Sequence, residues 1–205
     1  MAESCKEKDR SPVRAEPHPA QPVCWYSFWH LLMLDNPLRC FLQDPEKILK
    51  GYIRPGMHVL DIGCGPGNFT QAMRKMVGPR GHATAVDLQE EMLRYAKQKC
   101  GNTGPFAPVT WHQCGAGSLG LATQADFALA FYMVHEVPDQ ERLIGEIFSL
   151  LKPGGTWLLV EPVFHVTESA FTATLDCAEQ AGFVVHERPH IPLSRAVELQ
   201  KPQIS

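Results

Sequence analysis

Short apolar runs alternate with helical apolar patterns along most of the chain. Five runs predict strands, and the fourth and fifth are nearly continuous in apolar residues, as expected of central parallel strands buried on both faces. The predicted strands are residues 58–61, 83–87, 109–113, 126–131 and 156–160, with helical patterns over 69–77, 90–99 and 138–151. Repeated strand–helix alternation predicts an α/β fold, with a doubly wound, mostly parallel sheet and helices on both faces.

The pattern changes near the carboxyl terminus. A last helix is predicted to begin at Thr167 and to stop at Gly182. Two strand-like runs, 182–186 and 195–200, follow with a proline-containing loop between them but no helical pattern. Consecutive strands that lack a crossover helix pair antiparallel. The sequence therefore predicts a single seven-stranded sheet that ends in a C-terminal antiparallel hairpin.

The amino-terminal part of the chain has a different composition from the rest. It is first charged, then proline-rich, and then aromatic between Trp25 and Trp29. A helix signal follows at Asp44, with a cap, a proline and an acid in the first turn, and it ends before Pro55. We predict a flexible arm at residues 1–22, a helical cap or lid at 23–56, and one core domain at 57–205.

Composition limits the classes of partner. The chain has 205 residues, with 19 Lys and Arg against 22 Asp and Glu. Because this balance leaves no global positive field, nucleic acid is an unlikely partner. The early apolar run 24–34 is shorter than the roughly 20 residues of a bilayer span, and no charged n-region with a small-residue cleavage site precedes it, which predicts no membrane span and a cytoplasmic location. Seven cysteines without a Cys-x-x-Cys pair predict neither a disulfide framework nor a metal site.

The most specific motif lies at residues 59–70, where a predicted strand leads into a glycine-rich turn and then a helix. Its third glycine is Gly67, whereas the dinucleotide pattern G-x-G-x-x-G would require glycine at Asn68. Asp87 ends the second strand about twenty residues later, where a carboxylate can accept hydrogen bonds from ribose hydroxyls. These features predict an adenosine ligand. Alternatively, Asp61 satisfies only loop amides and Asp87 caps only the next helix.

With these motifs the chain resembles the class I S-adenosylmethionine-dependent methyltransferases. Asp61-x-Gly63-x-Gly65-x-Gly67 resembles their first motif, and Asp87 resembles their ribose-binding acid. Residues 150–155 (LLKPGG) resemble the segment that precedes their fifth strand. The resemblance covers about residues 40–200 and includes the final hairpin, which distinguishes this fold from that of nucleotide dehydrogenases. It implies that S-adenosylmethionine is the cofactor.

The resemblance also implies roles for individual residues. The glycine loop is expected to bind the methionine portion of the cofactor, with Asp61 near its ammonium group, while Asp87 binds the ribose. Leu88 is expected to pack on the adenine, and Ala116 to offer it a backbone donor. Family members commonly carry an acid just before this alanine, but here the residue is Gly115. The complete predicted cofactor site is Asp61, Gly63, Cys64, Gly65, Gly67, Asp87, Leu88, Ala116 and Phe131.

Residues 130–138, after the fourth strand, lie where family members line the cofactor and acceptor pockets. They lack the Asn/Asp-Pro-Pro-Tyr/Phe motif of enzymes that methylate exocyclic amino groups, and they resemble small-molecule enzymes such as quinone and arsenite methyltransferases. His135 is the candidate general base, with Glu136 beside it. Alternatively, His135 only forms hydrogen bonds within its loop. Further pocket candidates are Glu161, His165 and Tyr132.

The expected function is therefore methyl transfer from S-adenosylmethionine to a small-molecule acceptor. A methyltransferase-like binding module without turnover is the alternative, supported by Gly115. The glycine spacing and the hairpin argue against a nicotinamide oxidoreductase. An arsenic site built from Cys24, Cys40 and Cys114 is disfavoured, because residues 130–138 hold no counterpart of the cysteine that arsenite enzymes carry directly after the fourth strand. The aromatic run from Trp25 to Trp29 would either form a lid over the cofactor and acceptor or simply pack against the sheet.

Overall fold

The computed structural model describes residues 43–101 and 104–203. In chain order, the helices and strands are α1 (Pro45–Leu49), β1 (His58–Ile62), α2 (Asn68–Val77), β2 (His82–Asp87), α3 (Glu90–Cys100), β3 (Val109–Gln113), β4 (Ala125–Phe131), α4 (Gln140–Leu150), β5 (Leu151–Pro162), α5 (Glu168–Gln180), β6 (Val184–Glu187) and β7 (Ser194–Gln200). A single turn of 3₁₀ helix, Val134–Glu136, lies between β4 and α4.

The strands form one seven-stranded sheet in the order β3-β2-β1-β4-β5-β7-β6. Strands β1 to β5 are parallel, and β7 lies antiparallel between β5 and β6. The predicted mixed sheet with a C-terminal hairpin is thus confirmed. The order reverses between β1 and β4, and in open α/β sheets this switch point forms a ligand crevice at the carboxyl ends of the strands.

Helices cover both faces of the sheet, as predicted. On one face, α1 and α2 bury Leu49 and Met73 against alternate residues of the central strands, including Leu129 and Leu158. Helix α3 packs through Leu93 farther along that face. On the other face, α4 and α5 cover the remaining alternate residues, including the fully buried Trp157. Because the central strands are buried on both sides, their sequences are almost wholly apolar.

Two predicted boundaries are wrong. Helix α1 begins where expected, with the Asp44 carboxylate accepting the backbone N–H groups of Glu46 and Lys47, but it ends at Leu49. Lys50 is the C-cap and Gly51 comes next, and glycine is a poor helix former because it loses the most backbone freedom when it folds. The chain continues through turns to Ile53, which is still buried.

The second boundary concerns β5, which begins at Leu151 rather than Thr156. Residues 152–155 were expected only to close the preceding helix. Instead, the N–H of Gly154 donates to the carbonyl of Lys201, and the N–H of Lys201 donates to the carbonyl of Gly155, both at 2.9 Å. Pairing with the carboxyl-terminal segment therefore extends this strand.

Several predictions fall on residues outside the described ranges. They concern the arm at 1–22, the Trp25 to Trp29 segment, Cys24 and Cys40. The described part of the cap, α1, packs against α2 and the sheet. Within residues 43–101 and 104–203, no helix has the length and apolar character needed to span a bilayer. The division into arm, cap and core stays a prediction.

Candidate functional site

The glycine-rich turn connects β1 to α2 at the switch point of the sheet. Gly63, Gly65 and Gly67 have φ angles of +68°, +49° and +79°, in the left-handed region that favours glycine. The N–H groups of Gly63 and Cys64 donate to the carbonyl of Val86 at 2.8 and 2.9 Å. The turn is thereby held against the carboxyl end of β2.

The three glycines have different surroundings. A Cβ atom at Gly63 would lie 2.8 Å from Cγ of Met133, and one at Gly67 would lie 2.9 Å from Cβ of Ala96. At Gly65, the same atom would have no neighbour within 4 Å. Two of the glycines therefore permit close packing within the protein, whereas Gly65 borders open space that a ligand can enter.

Asp87, at the end of β2, holds the glycine turn directly. Its Oδ2 atom accepts the N–H of Gly65 and its Oδ1 atom accepts the N–H of Gln89, both at 2.9 Å. Burial raises the pKa of this carboxyl. Each carboxylate oxygen can accept a second hydrogen bond, so the positions needed for ribose hydroxyls are still available.

Asp61, at the end of β1, is a buried carboxylate beside the open glycine turn. Its Oδ2 atom accepts the hydroxyl of Thr70. Burial, together with the nearby charge of Asp87, raises the pKa of Asp61 to about 7. Within the described ranges, no lysine or arginine forms an ion pair with it. A buried carboxylate without a cationic partner matches a ligand that carries an ammonium group, as S-adenosylmethionine does.

The predicted adenine side of the site contains one exposed apolar residue. Leu88, directly after the buried Asp87, is 53% exposed. Residues 115–118 form a tight turn in which the N–H of Gly115 donates to the carbonyl of Ser118 at 3.1 Å. Ala116 lies at the exposed tip of this turn. The open side of Leu88 suits a flat apolar ring, and Gly115 presents backbone groups alone.

Cys64 and Phe131 belong to the protein interior. Burial raises the pKa of the Cys64 thiol, which keeps it protonated and unreactive. The Phe131 ring packs against Phe69 and Tyr132, with both centroid distances 4.5 Å. These two side chains pack within the protein, and the space around Gly65 stays open.

His135 lies in the 3₁₀ turn after β4 and is paired with Glu161 at the end of β5. Its Nδ1 atom is 2.5 Å from Oε2 of Glu161, and its backbone N–H donates to Oε1 of the same residue at 3.0 Å. Glu161 is 2% exposed. The bond to Glu161 raises the pKa of His135, against a smaller lowering by burial. With Nδ1 donating to Glu161, Nε2 is the atom left to accept a proton.

Two of the other predicted acceptor-side residues lie near His135, and the third lies at the same end of the sheet. Glu136 is 67% exposed, and its Oε1 atom is 4.0 Å from Nε2 of His135. The His165 ring lies parallel to that of His135, with a centroid distance of 6.3 Å. Tyr132 has a φ of +62°, and its hydroxyl is 2.6 Å from Oγ of Ser194. The structure thus brings these residues together at one edge.

Sequence reasoning gave Glu161 too little weight as the partner of His135. The two residues are far apart in sequence, and only the pairing of β4 with β5 brings them together. A signal was present, because Glu161 is the first acid after the apolar run of β5. Thr70 and Met133, which contact Asp61 and the glycine turn, carried no comparable signal.

Comparison with known proteins agrees with this geometry. A family model described as a methyltransferase domain matches residues 59–155, which run from β1 into β5. The ubiquinone/menaquinone biosynthesis C-methyltransferase UbiE of Pasteurella multocida is 32% identical over 110 residues, covering 53% of this chain and 41% of its own length. UbiE of Vibrio vulnificus is 31% identical over 124 residues, covering 58% and 48%. The chain thus spans less than half the length of these curated relatives.

A solved structure extends the similarity over most of the fold. A SAM-dependent methyltransferase from Aquifex aeolicus superimposes with a TM-score of 0.74 and 26% identity, covering 84% of this chain and 97% of that one. The likeness thus extends beyond the residues that the family model matches. The glycine turn, the sheet order and these similarities together show that the chain is similar, over most of its fold, to class I S-adenosylmethionine-dependent methyltransferases, whose cofactor is S-adenosylmethionine.

Proposed function

We propose that this protein transfers a methyl group from S-adenosylmethionine to a small-molecule acceptor and releases S-adenosylhomocysteine. One contact carries the proposal. Met133, two residues before His135, packs directly against Gly63 of the glycine turn. The proton-accepting histidine and the predicted cofactor loop are therefore neighbours at the same edge of the sheet.

The cofactor side of the proposal rests on two carboxylates, one exposed leucine and one glycine. Asp61 binds the ammonium group of the methionine portion, because it is a buried carboxylate with no cationic partner among the described residues. Asp87 binds the ribose through the acceptor positions that Gly65 and Gln89 leave available. Leu88 packs on the adenine, and Gly65 lets the cofactor approach the backbone.

On the acceptor side, His135 acts as a general base. When bound, S-adenosylmethionine would supply a methyl group on a sulfonium, and the acceptor's nucleophilic atom would attack the methyl carbon as the carbon–sulfur bond breaks and the neutral thioether leaves. A nucleophile that carries a high-pKa proton must lose it, and Nε2 of His135 receives that proton. Glu161 holds the ring through Nδ1 and stabilises the imidazolium that forms. The UbiE relatives are named as C-methyltransferases, and a carbon acceptor next to a hydroxyl group would need such a base.

The test is transfer of labelled methyl from S-adenosylmethionine into a cell extract, which is then separated into small-molecule and macromolecular fractions. We expect label in the small-molecule fraction and a strong reduction in a His135→Ala variant that still binds the cofactor. His190→Ala, which alters an exposed histidine on the β6–β7 connection, is the matched control. Label confined to protein or RNA would overturn the proposed acceptor class.

A binding module without turnover is a second candidate, favoured by one observation. At Gly115, where relatives of this type commonly carry an acid, the turn has no side chain to contact the adenine. Loss of one charged hydrogen bond weakens binding by about 1.5 to 3 kcal/mol, or roughly ten- to hundredfold. Intact cofactor binding with no label in any fraction would favour this candidate over the enzyme.

A further inference from the structure

Three side chains with metal-binding groups meet on the β6–β7 hairpin. His186, Glu187 and Glu198 each offer one nitrogen or carboxylate oxygen, and these atoms all lie within 4.8 Å of one another. Glu198 is paired with Leu158 of β5, three residues before Glu161 and therefore about 10 Å away along that strand. The cluster is thus separate from the edge that carries His135.

A break in strand pairing brings the three side chains together. The register between β6 and β7 shifts between Val185 and Glu187, which makes His186 the extra residue of a β-bulge. In a regular strand, residues 186 and 187 would point to opposite faces of the sheet. The bulge instead allows both side chains to reach the carboxylate of Glu198.

The cluster concentrates negative charge that the described protein does not neutralise. Glu187 is directly opposite Glu198 in the antiparallel register, and like charges at such positions destabilise a sheet. The Glu198 side chain is only 14% exposed. In the part of the chain that the structure describes, neither carboxylate forms an ion pair with lysine or arginine, and His186 is the one ion-pair partner of Glu198.

The two glutamates lie close enough to a neighbouring tyrosine for their charge to act on its hydroxyl. Tyr52, after α1, is half-buried and stacks on Phe127 with a centroid distance of 5.7 Å. Its pKa is raised to about 12, first by burial and then by the charges of Glu198 and Glu187. The face of the hairpin thus has a negative potential, which a bound cation would offset.

We propose that His186, Glu187 and Glu198 bind one divalent transition-metal ion, with Zn²⁺ as the best match. Zinc accepts imidazole nitrogen and carboxylate oxygen at about 2.0 to 2.2 Å, so two of its tetrahedral ligands lie roughly 3.4 Å apart. Nδ1 of His186 is 3.4 Å from Oε1 of Glu198. Magnesium and calcium prefer oxygen ligands alone, which makes them poorer matches for a set that contains imidazole.

The ion would join the edge strand β6 to β7. It converts a repulsive pair of glutamates into two ligands of one cation, with solvent at the remaining coordination position. The sequence did not predict a metal site, because His186 and Glu198 are adjacent only after the hairpin has formed. The bound ion therefore stabilises the hairpin and takes no part in methyl transfer.

The experiment is titration of the full-length protein with Zn²⁺, followed by calorimetry and thermal unfolding. We expect one ion per chain and a higher melting temperature. His186→Ala should weaken zinc binding by at least about tenfold, since even the loss of an outer hydrogen-bond partner costs that much. His190→Ala, on the connection between β6 and β7 and outside the cluster, should bind zinc like the parent protein. Equal zinc stabilisation in the parent and His186→Ala would overturn the proposal.

Glu198→Gln separates a metal ligand from a merely structural residue. Without metal, this variant should be at least as stable as the parent, because the like-charge contact is removed. With Zn²⁺, the parent should gain stability and the variant should not. Because the chain has seven cysteines, Co²⁺ spectra provide the remaining check. A thiolate-to-cobalt charge-transfer band that persists in His186→Ala would place the ion on cysteines, and the proposal would be wrong.

Discussion

The carboxylate of Asp87 accepts the backbone N–H of Gly65 at 2.9 Å, which ties the end of β2 to the glycine turn after β1. The same carboxylate also accepts the N–H of Gln89 at the start of α3. The sequence left two roles open for Asp87, namely capping the next helix and binding a ligand, and the geometry is compatible with both. Asp87 satisfies backbone amides and is also available to a ligand at the switch point.

Asp87→Ala should therefore weaken S-adenosylmethionine binding by tenfold or more, since the ribose loses a charged acceptor and the glycine turn loses its anchor. Calorimetric titration with the cofactor measures the change. Asp126→Ala is the matched control. Asp126 also accepts a backbone N–H, that of His58 at 2.8 Å, but it lies at the opposite end of the sheet. This control should lose stability and keep its affinity for the cofactor; equal affinity in both variants would remove Asp87 from the ribose site.

Local patterns were sufficient to predict most of the fold. The central strands were identified because β4 and β5 are apolar on both faces, and the hairpin because no helical pattern separates β6 from β7. The misplaced start of β5 has a non-local cause, since Gly154 pairs with Lys201 at the carboxyl end of the chain. No pattern in residues 150–156 alone shows that partner.

The residues of the candidate site likewise fall into two groups: those that local sequence spacing predicts, and one that only strand pairing brings close. The glycine turn and Asp87 follow a spacing set by one strand–turn–helix unit and the next strand, so the sequence displays them. The partner of His135 is different, because Glu136 is adjacent in sequence but exposed, whereas the buried Glu161 is reached only across two paired strands. To predict a contact with a residue on another strand, one must know the register between the two strands, which the sequence does not show.

Glu161→Gln should shift the pH dependence of methyl transfer. The bond to Glu161 raises the pKa of His135, so removing this charge lowers that pKa. The base must be neutral to accept a proton, and the acidic limb of the kcat/KM profile should therefore move to lower pH. The maximal rate should fall, because the imidazolium loses its stabilising carboxylate. Glu136→Gln, which alters an exposed acid 4.0 Å away, should move the profile much less. An unchanged limb in Glu161→Gln would exclude His135 as the base.

Asp61→Asn should change how the stability of the cofactor-free protein depends on pH. Burial raises the folded-state pKa of Asp61 from 3.8 to about 7. The stability associated with the protonated carboxyl is complete below the unfolded-state value and is lost as pH rises through about 7. The free energy of unfolding of Asp61→Asn, relative to the parent, should therefore increase from about pH 5 to about pH 8. Urea denaturation at several pH values measures it.

The control for this experiment is Asp126→Asn. Hydrogen bonds from Lys152 and His58 lower the pKa of Asp126, so it stays ionised across that pH interval. Its variant should differ from the parent by a nearly constant free energy of unfolding. A constant difference in Asp61→Asn as well would show that Asp61 is already ionised in the folded protein at about pH 5.

Substitutions at Gly65 and Gly67 should affect folding and cofactor binding to different degrees. Gly67→Ala places a Cβ atom 2.9 Å from that of Ala96 at a φ of +79°, so its melting temperature should fall clearly. Gly65→Ala has a φ of +49° and no protein atom within 4 Å, and its stability should fall by only about 1 to 2 kcal/mol from backbone strain. Its new methyl group enters the open space, however, so cofactor affinity should fall more than stability does. Thermal unfolding with and without S-adenosylmethionine compares the two effects. Parent-like affinity in Gly65→Ala would show that the cofactor does not approach this part of the turn.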